Sequence, residues 1–452
     1  MQQPASALHN RIYTIAVAAA IVISVGELVS FPIVVTVDGY WYAKLAEVLG
    51  TPRFGSEWDY LRTPLFPALL KVFFWLFGRQ PLAVVALQTA LSFAGIWMLA
   101  ATLRRCGRTL EAAVVFPLLA AFPTLTTYEH VLLTEAGTFF FLSAILFVAT
   151  ARFSNPARQI AAIVAVLGVA YYHRSSLLYV SPAVGLVYGW RRWKPQTGMT
   201  QRRGAHWRIA GEVLLVVLGP FLIAYPWESN PRVSERTGEV LLYGLAKQAV
   251  LPPQDPMWGK AQGLYAAALD QSLKNGQLPL SGVKDQLVYA PLDAVEEYAP
   301  KARSIFLRAM ISYPQRYIAG CLRTALLFAE VRPLESDNAV FRTWILSGIA
   351  VVAPQPEGFP PLAVEMMQPA KPSAFGRVLA WLAPKYDWLV CAGLLATLVL
   401  AILGLARMDA TLLAFSLIPM VFLLLNVSLL VSQDRIAVPA YPLALMRRTS
   451  LT

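Results

Sequence analysis

Apolar positions in this chain come in long runs, not in the short alternations of a soluble domain. Such runs occupy residues 12–36, 81–103, 110–123, 135–151, 157–172, 175–190 and 209–226 in the first half, and Trp388–Ala406 and Leu412–Val431 near the end. Each approaches or reaches the roughly 17–25 residues that carry a helix across a hydrocarbon core of about 30 Å. Inside that core only helices and closed barrels keep every backbone N–H and C=O paired. The pattern predicts an all-α polytopic membrane protein of roughly ten to twelve spans. The first run is too long for the apolar core of a signal peptide and has no small-residue cleavage site after it, so it reads as a retained anchor. Between the first two runs, "PLFPALLKVFFWLFG" with its Lys71 predicts a helix lying at the interface, not crossing it.

The pattern changes after "YPWESNPR". From 227 to 315 the chain is polar, carries charges of both signs and contains helix-compatible stretches such as "MWGKAQGLYAAALDQSLKNG". Helical patterns outnumber strand patterns there, which predicts a mostly helical cap. The organisation expected is therefore a transmembrane region at 1–226 with a catalytic first external loop, a soluble region at 227–315 and a second transmembrane region at 316–452. Within the last, "YIAGCLRTALLFAE" and "FRTWILSGIAVVA" fit either a hairpin of short spans or interfacial helices.

Composition agrees with that pattern: of 452 residues 57% are hydrophobic and 14% charged, against about 25% charged in ordinary soluble domains. The net charge of +12 raises the question of nucleic acid, and its placement answers it. Arg104, Arg105 and Arg108, then Arg152 and Arg158, then Arg191, Arg192, Lys194, Arg202, Arg203 and Arg208, and finally Arg447 and Arg448 lie in short links almost free of acids. That is the positive-inside signature, so the charge is topological and no nucleic-acid partner is expected. Alternation of spans then puts 38–80, 124–134, 171–175, 227–315 and 432–435 outside. The three cysteines, Cys106, Cys321 and Cys391, have no paired spacing, so neither a disulfide framework nor a zinc site is indicated.

The polar residues that this topology gathers on the outer face are Asp38 after the first span, Arg62 in "RTPLFP", Glu129, His130 and Glu135 in "TYEHVLLTEA", His173 and Arg174 in "YYHRSS", and Asp434 and Arg435 in "SQDRIAVP". A charge facing lipid near the bilayer centre costs at least about 2.5 kcal/mol, so ionisable groups at span ends tend to line cavities. Each of them taken singly fits a solvated loop charge equally well. Glu135 also fits a helix N-terminus, where the dipole favours an acid by about 0.3–1 kcal/mol. Glu27, about 16 Å from Asp38 along a helix, is too deep for chemistry at the surface and is expected to be a neutral, hydrogen-bonded structural residue. Tyr40, Trp41, Tyr42, Trp58 and Tyr60 fit an aromatic belt better than a sugar-stacking platform.

Read as an ordered set, the motifs are more specific. An acid after the first span, "R-x-P-x-x-P" opening an interfacial helix, "T-E-A" opening the fourth span, an arginine after the fifth, "PW" before a polar region and a late "D-R-x-x-x-P-x-x-P" resemble the GT-C glycosyltransferases. Within these the layout is similar to the branch of protein O-mannosyltransferases and lipid A aminoarabinose transferases. The likeness is strongest over the first 230 residues. Two departures stand out: Gly39 follows Asp38 where many members have a second acid, and Ile436 follows Arg435 where many have tyrosine.

The resemblance implies an inverting transfer of a sugar from a polyprenyl-phosphate carrier to an acceptor hydroxyl on the outer face of the cytoplasmic membrane. The acceptor it implies is a glycan, a glycolipid or a protein. In that chemistry Asp38 would be the base, supported by Glu135, while Arg174 and Arg435, with Arg62, Glu129 and His173 behind them, would contact substrate. No cofactor is expected; a divalent ion bridging Asp38 and a second acid is the weaker alternative. A transporter or lipid flippase, or a polysaccharide ligase, would share the polytopic, basic-inside pattern, but transporters usually show two related halves, and these halves differ.

Overall fold

The computed structural model describes residues 4–60, 62–151, 153–193, 204–247, 250–252, 254, 301–329, 377–378, 381, 402–404, 406 and 409–428. Among the described residues the regular elements are helices, joined by one isolated bridge. They are α1 (Pro4–Ser30), α2 (Val37–Val48), α3 (Phe54–Glu57), α4 (Leu65–Phe77), α5 (Pro81–Arg105), α6 (Thr109–Ala120), α7 (Pro123–His130), α8 (Glu135–Thr150) and α9 (Pro156–His173). After a 3-10 turn at Ser175–Val180 come α10 (Ser181–Trp193), α11 (Gly204–Glu228), α12 (Pro231–Lys247), α13 (Ala302–Ser312), α14 (Pro314–Ala329) and α15 (Ala410–Ser428). Three segments, Ala7–Ser30, Pro81–Arg105 and His206–Glu228, are long and apolar enough to cross a membrane alone, while Thr109–Ala120 and Glu135–Thr150 are apolar but shorter. Of the candidate span at Trp388–Ala406 all but 402–404 and 406 fall outside the described residues, while the candidate at Leu412–Val431 is described as far as Ser428, where it forms α15.

The described residues up to Ala224 form one compact unit and those between Tyr225 and Ala329 belong to a second. In the first, α5 packs along α6 and α8, α1 along α6, and α8 along α9. Close approach of α5 to α8 depends on Gly95, since a methyl group there would stand 2.9 Å from the Phe139 ring. The ends of these helices are satisfied by side chains. Asn155 accepts from Ala157 N–H at 2.8 Å to cap α9, and Arg191 donates to the Ala149 and Ala151 carbonyls at 2.6 and 3.0 Å at the end of α8. In the second unit, α12 and α13 bury Leu241, Leu245, Val250, Leu251, Ile305, Phe306 and Ala309 against one another.

The first element departs from expectation in a way that matters for the site. The apolar run continues to Thr36, but the helix ends at Ser30. Pro32 has no N–H to give the ladder and its ring opposes continuation, so residues 31–36 run extended. They pair in parallel with a stretch nearly a hundred residues on: Val34 N–H donates to His130 C=O at 2.9 Å and Leu132 N–H to Val34 C=O at 3.4 Å. Gln88, fully buried on α5, fastens the same stretch by donating to the Tyr128 and Val131 carbonyls at 2.7 and 2.8 Å. Thr36 then caps a new helix by accepting from Gly39 N–H at 3.3 Å. Asp38 therefore does not ride on the end of a spanning helix. It stands in the first turn of the separate, 12-residue α2, where the dipole favours an acid.

The segment read as interfacial forms α4, 13 residues long, about 20 Å and short of a bilayer core. It buries Phe66, Pro67 and Leu70 and exposes Val72, Trp75, Leu76 and Phe77.

Candidate functional site

Asp38 projects from the first turn of α2 onto Arg62, whose Nη2 donates to Asp38 Oδ1 at 2.6 Å. The other guanidinium nitrogen, Nη1, is held by Asp59. Arg62 is thus clamped between two carboxylates, and its plane lies 5.2 Å from the Tyr42 ring and 5.9 Å from Trp41. The loop that carries it is fixed by Trp58, whose indole N–H donates to the Arg62 carbonyl at 3.0 Å. Lys44, six residues on, is the next basic residue along the chain after Asp38. The structure pairs Lys44 with Glu57 at 3.7 Å instead, because α2 turns back over the loop and brings Arg62 to the acid.

A second pair stands at the junction of α8 and α9. Glu135 opens α8, where it is 4% exposed, and its Oε1 receives Arg174 Nη1 at 3.5 Å. Its other oxygen, Oε2, is buried without a hydrogen-bond partner. His173 is buried beside it, with Nε2 2.9 Å from the Thr134 carbonyl and its ring edge-on to Phe66 at 5.9 Å. The fit is close: a methyl group at Gly137 would stand 2.4 Å from the His173 ring.

Tyr42 connects the two pairs. Its ring is edge-on to Phe66 at 4.9 Å, and its hydroxyl is within electrostatic reach of Arg62, Asp38, Glu135 and Arg174 together. Burial holds that hydroxyl above the ordinary tyrosine range; Arg62 and Arg174 pull it down, and Glu135 and Asp38 push it up. It stays a neutral donor across the physiological range. Of the residues singled out from sequence, Asp38, Arg62, Glu135 and Arg174 lie within electrostatic reach of this hydroxyl, and His173 packs on the same Phe66 ring as Tyr42. Arg435 lies outside the described residues. Glu129 belongs to another group: it faces Ser92 and Thr89 of α5 and interacts with Glu27.

Two members of the site were missed. Asp59 sits in an irregular loop with no motif around it, and its acidic neighbour relation to Arg62 at i, i+3 was the available signal. Tyr42 was assigned to an aromatic belt; its position four residues after Asp38, one helical turn away, marks it as a same-face neighbour.

Chemically, the arrangement offers two guanidinium groups suited to phosphate oxygens, carboxylates within reach of a hydroxyl proton, and aromatic faces of Trp41 and Tyr42. Among the described residues no group of three or more His, Cys, Asp or Glu side chains is placed to hold a metal ion.

No family model matches the chain, and no curated protein matches it. Two solved structures of ArnT from Cupriavidus metallidurans are similar to it, one bound to undecaprenyl phosphate and one in the apo state. The sequence identities are 14% and 15%, the TM-score is 0.37 for each, and the alignments cover 92% and 97% of this chain and 77% of that chain.

Proposed function

We propose that this protein is an inverting glycosyltransferase that moves a sugar from a polyprenyl-phosphate carrier to an acceptor hydroxyl, at the outer face of the cytoplasmic membrane. The observation that carries the reading is the convergence of two carboxylate–guanidinium pairs, Asp38–Arg62 and Glu135–Arg174, on one tyrosine hydroxyl. Such a site can hold a lipid-linked phosphate and take a proton from an alcohol in the same space.

In this reading the acceptor O–H gives its proton to the Asp38 carboxylate as its oxygen bonds the anomeric carbon. The bond from that carbon to the carrier phosphate breaks, and the leaving phosphate keeps the electron pair. Arg174 and Arg435 take up the charge that grows there, where fixed cationic donors are most effective. Arg62 adds a switch. With no phosphate near, it holds Asp38 at 2.6 Å; a donor phosphate beside it competes for the guanidinium and releases the carboxylate to act as base. Asp59 keeps Arg62 in place through that exchange.

The test is release of free polyprenyl phosphate by the purified protein in proteoliposomes containing undecaprenyl-phosphate-linked sugars and a cell-envelope extract as acceptor source. Time-dependent release with transfer of the sugar is expected. Movement of intact lipid-linked sugar across the bilayer with no release would make the protein a transporter and end this reading.

A further inference from the structure

At the far end of α8 from Glu135, about 24 Å away along a 16-residue helix, arginines gather from several elements. Arg105 of α5 lies over the Phe147 ring at 3.7 Å, and Arg191 of α10 donates to the Ala149 and Ala151 carbonyls. The last turns of α5, α8 and α10 thus end together. The start of α11 joins them because small residues let two helices approach closely: a methyl group at Gly185 of α10 would stand 2.5 Å from Val217, and one at Gly189 would stand 2.8 Å from Val213. Trp193 at the end of α10 packs on His206 in the first turn of α11, with ring centroids 4.6 Å apart.

Within that junction two arginines share one carboxylate. Glu212 of α11 is 8% exposed. Its Oε1 accepts from Arg208 Nε at 3.1 Å, and its Oε2 accepts from Arg192 Nε at 3.2 Å and from the Tyr188 hydroxyl at 2.9 Å. Glu212 is the one acid in the chain between Glu135 and Glu228, so Arg192, Arg208 and Glu212 together carry a formal charge of +1. Both guanidinium groups reach the carboxylate through Nε, which fixes their orientation and turns the Nη edge of each towards other partners. The side chains of Arg192 and Arg208 are 36% and 69% exposed, so an anion can approach them.

We propose that Arg192 and Arg208 bind the phosphodiester of an anionic membrane phospholipid, with Glu212 as the group that holds the two guanidiniums in place. The charges match: one phosphodiester cancels the +1 that the three side chains carry, and its two free oxygens suit two guanidinium donors. A zwitterionic lipid would add an ammonium among arginines. The depth matches as well. Arg208 stands in the first turn of the candidate span His206–Glu228, beside Trp207, 83% exposed, and Trp193, 47% exposed, and tryptophan favours the headgroup level. Leu215 and Leu222 follow Arg208 at seven-residue steps on the same face of α11. They are 58% and 77% exposed, an apolar track for an acyl chain below the phosphate. A free phosphate has no use for that track, which favours a lipid as the source of the anion.

The test uses the full-length protein in detergent, stripped of lipid and titrated with phosphatidylglycerol, phosphatidylcholine or soluble glycerol 3-phosphate. Native mass spectrometry counts the bound molecules, and no transferase activity is needed. One phosphatidylglycerol should bind at least about tenfold more tightly than phosphatidylcholine. Arg192→Gln and Arg208→Gln should each weaken it by at least about fivefold. Arg208→Lys keeps the charge but loses the planar fork, and should weaken it by at least about threefold. Arg158→Gln removes an equal charge from the first turns of α9, from a residue with no ion pair to Glu212, and should change the affinity by less than about twofold. Melting scans in phosphatidylcholine check that the variants are folded; if a glutamine variant is not, Arg208→Lys decides. Equal affinity for the two lipids, an Arg208→Lys variant that binds like wild type, or an Arg158→Gln variant as weak as Arg208→Gln would each overturn the proposal by leaving only diffuse attraction to positive charge. Glycerol 3-phosphate binding as tightly as phosphatidylglycerol would overturn it by making the site one for a soluble anion.

Discussion

Replacing Asp38 with asparagine removes a proton acceptor while changing the shape of the side chain very little. The structure separates what this does to the fold from what it does to the reaction. Asp38 and Arg62 are 20% and 19% exposed, and such partly exposed pairs contribute about 0–1 kcal/mol. Arg62 also keeps Asp59 and its place over Tyr42 in the variant, so no buried cation is stranded. The expected stability loss is at most about 1 kcal/mol, a melting shift of about 2–4 °C for a unit of this size. Loss of a general base slows a reaction by about 10²- to 10⁴-fold, equivalent to about 2.7–5.5 kcal/mol in the barrier. The chemical effect therefore exceeds the structural one by a factor of at least about three. Single-turnover release of polyprenyl phosphate, measured beside a melting scan, distinguishes them. Asp59→Asn serves as the matched control: it removes the other arm of the Arg62 clamp and should cost no more than about tenfold. The reasoning fails if Asp38→Asn turns over within about threefold of wild type, or if Asp59→Asn is as slow as Asp38→Asn.

Arg174→Lys keeps the charge but loses the planar fork, and should raise the donor KM at least about tenfold; Arg174→Ala should also lower stability by about 1–3 kcal/mol, because Glu135 is left buried without its partner. Thermal scans and donor titrations of the two variants check this, and donor binding unchanged in both would remove Arg174 from the site. Gln88→Met keeps the volume but removes the donors to Tyr128 and Val131, so about 2–4 kcal/mol of stability should be lost, with turnover falling as the 130–132 stretch loosens; denaturant or thermal unfolding decides it. A cysteine at Gln254 should react with an impermeant thiol reagent in intact cells, while one in the basic 191–208 link should react only after lysis; the reverse result would put the site on the wrong face of the membrane for a lipid-linked donor.

The spanning helices were largely legible because length and apolarity are local properties. The runs at 81–103, 135–151 and 157–172 correspond to α5, α8 and α9 within one or two residues, and the segment at 65–77 is a helix, as its pattern predicted. The first run misled because hydropathy does not register chain direction: "SFPIVVT" is as apolar as what precedes it, and Pro32 was the one letter that announced the break. Side-chain partners were less legible. Arg62 reaches Asp38 across 24 positions only because α2 doubles back, and nothing in the local spacing of either residue encodes that. Glu135 and Arg174, 39 positions apart, were chosen as ends of consecutive spans, and their meeting follows from the antiparallel packing of α8 and α9. Glu129 shared its motif with Glu135 but turns inward, since α7 ends at His130 and the chain changes direction before α8 begins.

The pairing of Val34 with Val131 also sets the order in which the molecule can be made. α1 and α2 leave the ribosome first, yet Val34 in the extended link between them lacks its pairing stretch until residues 130–132 are synthesised, about a hundred residues later. At about 5–20 residues per second this leaves an interval of roughly 5–20 s in which Asp38 stands at the membrane edge beside an unfinished neighbourhood. Long-range closure of this kind is entropically slow. A nascent chain stalled before α7 would therefore carry an inserted anchor and an unformed site, and quality control that samples the membrane during synthesis would meet the protein in that state.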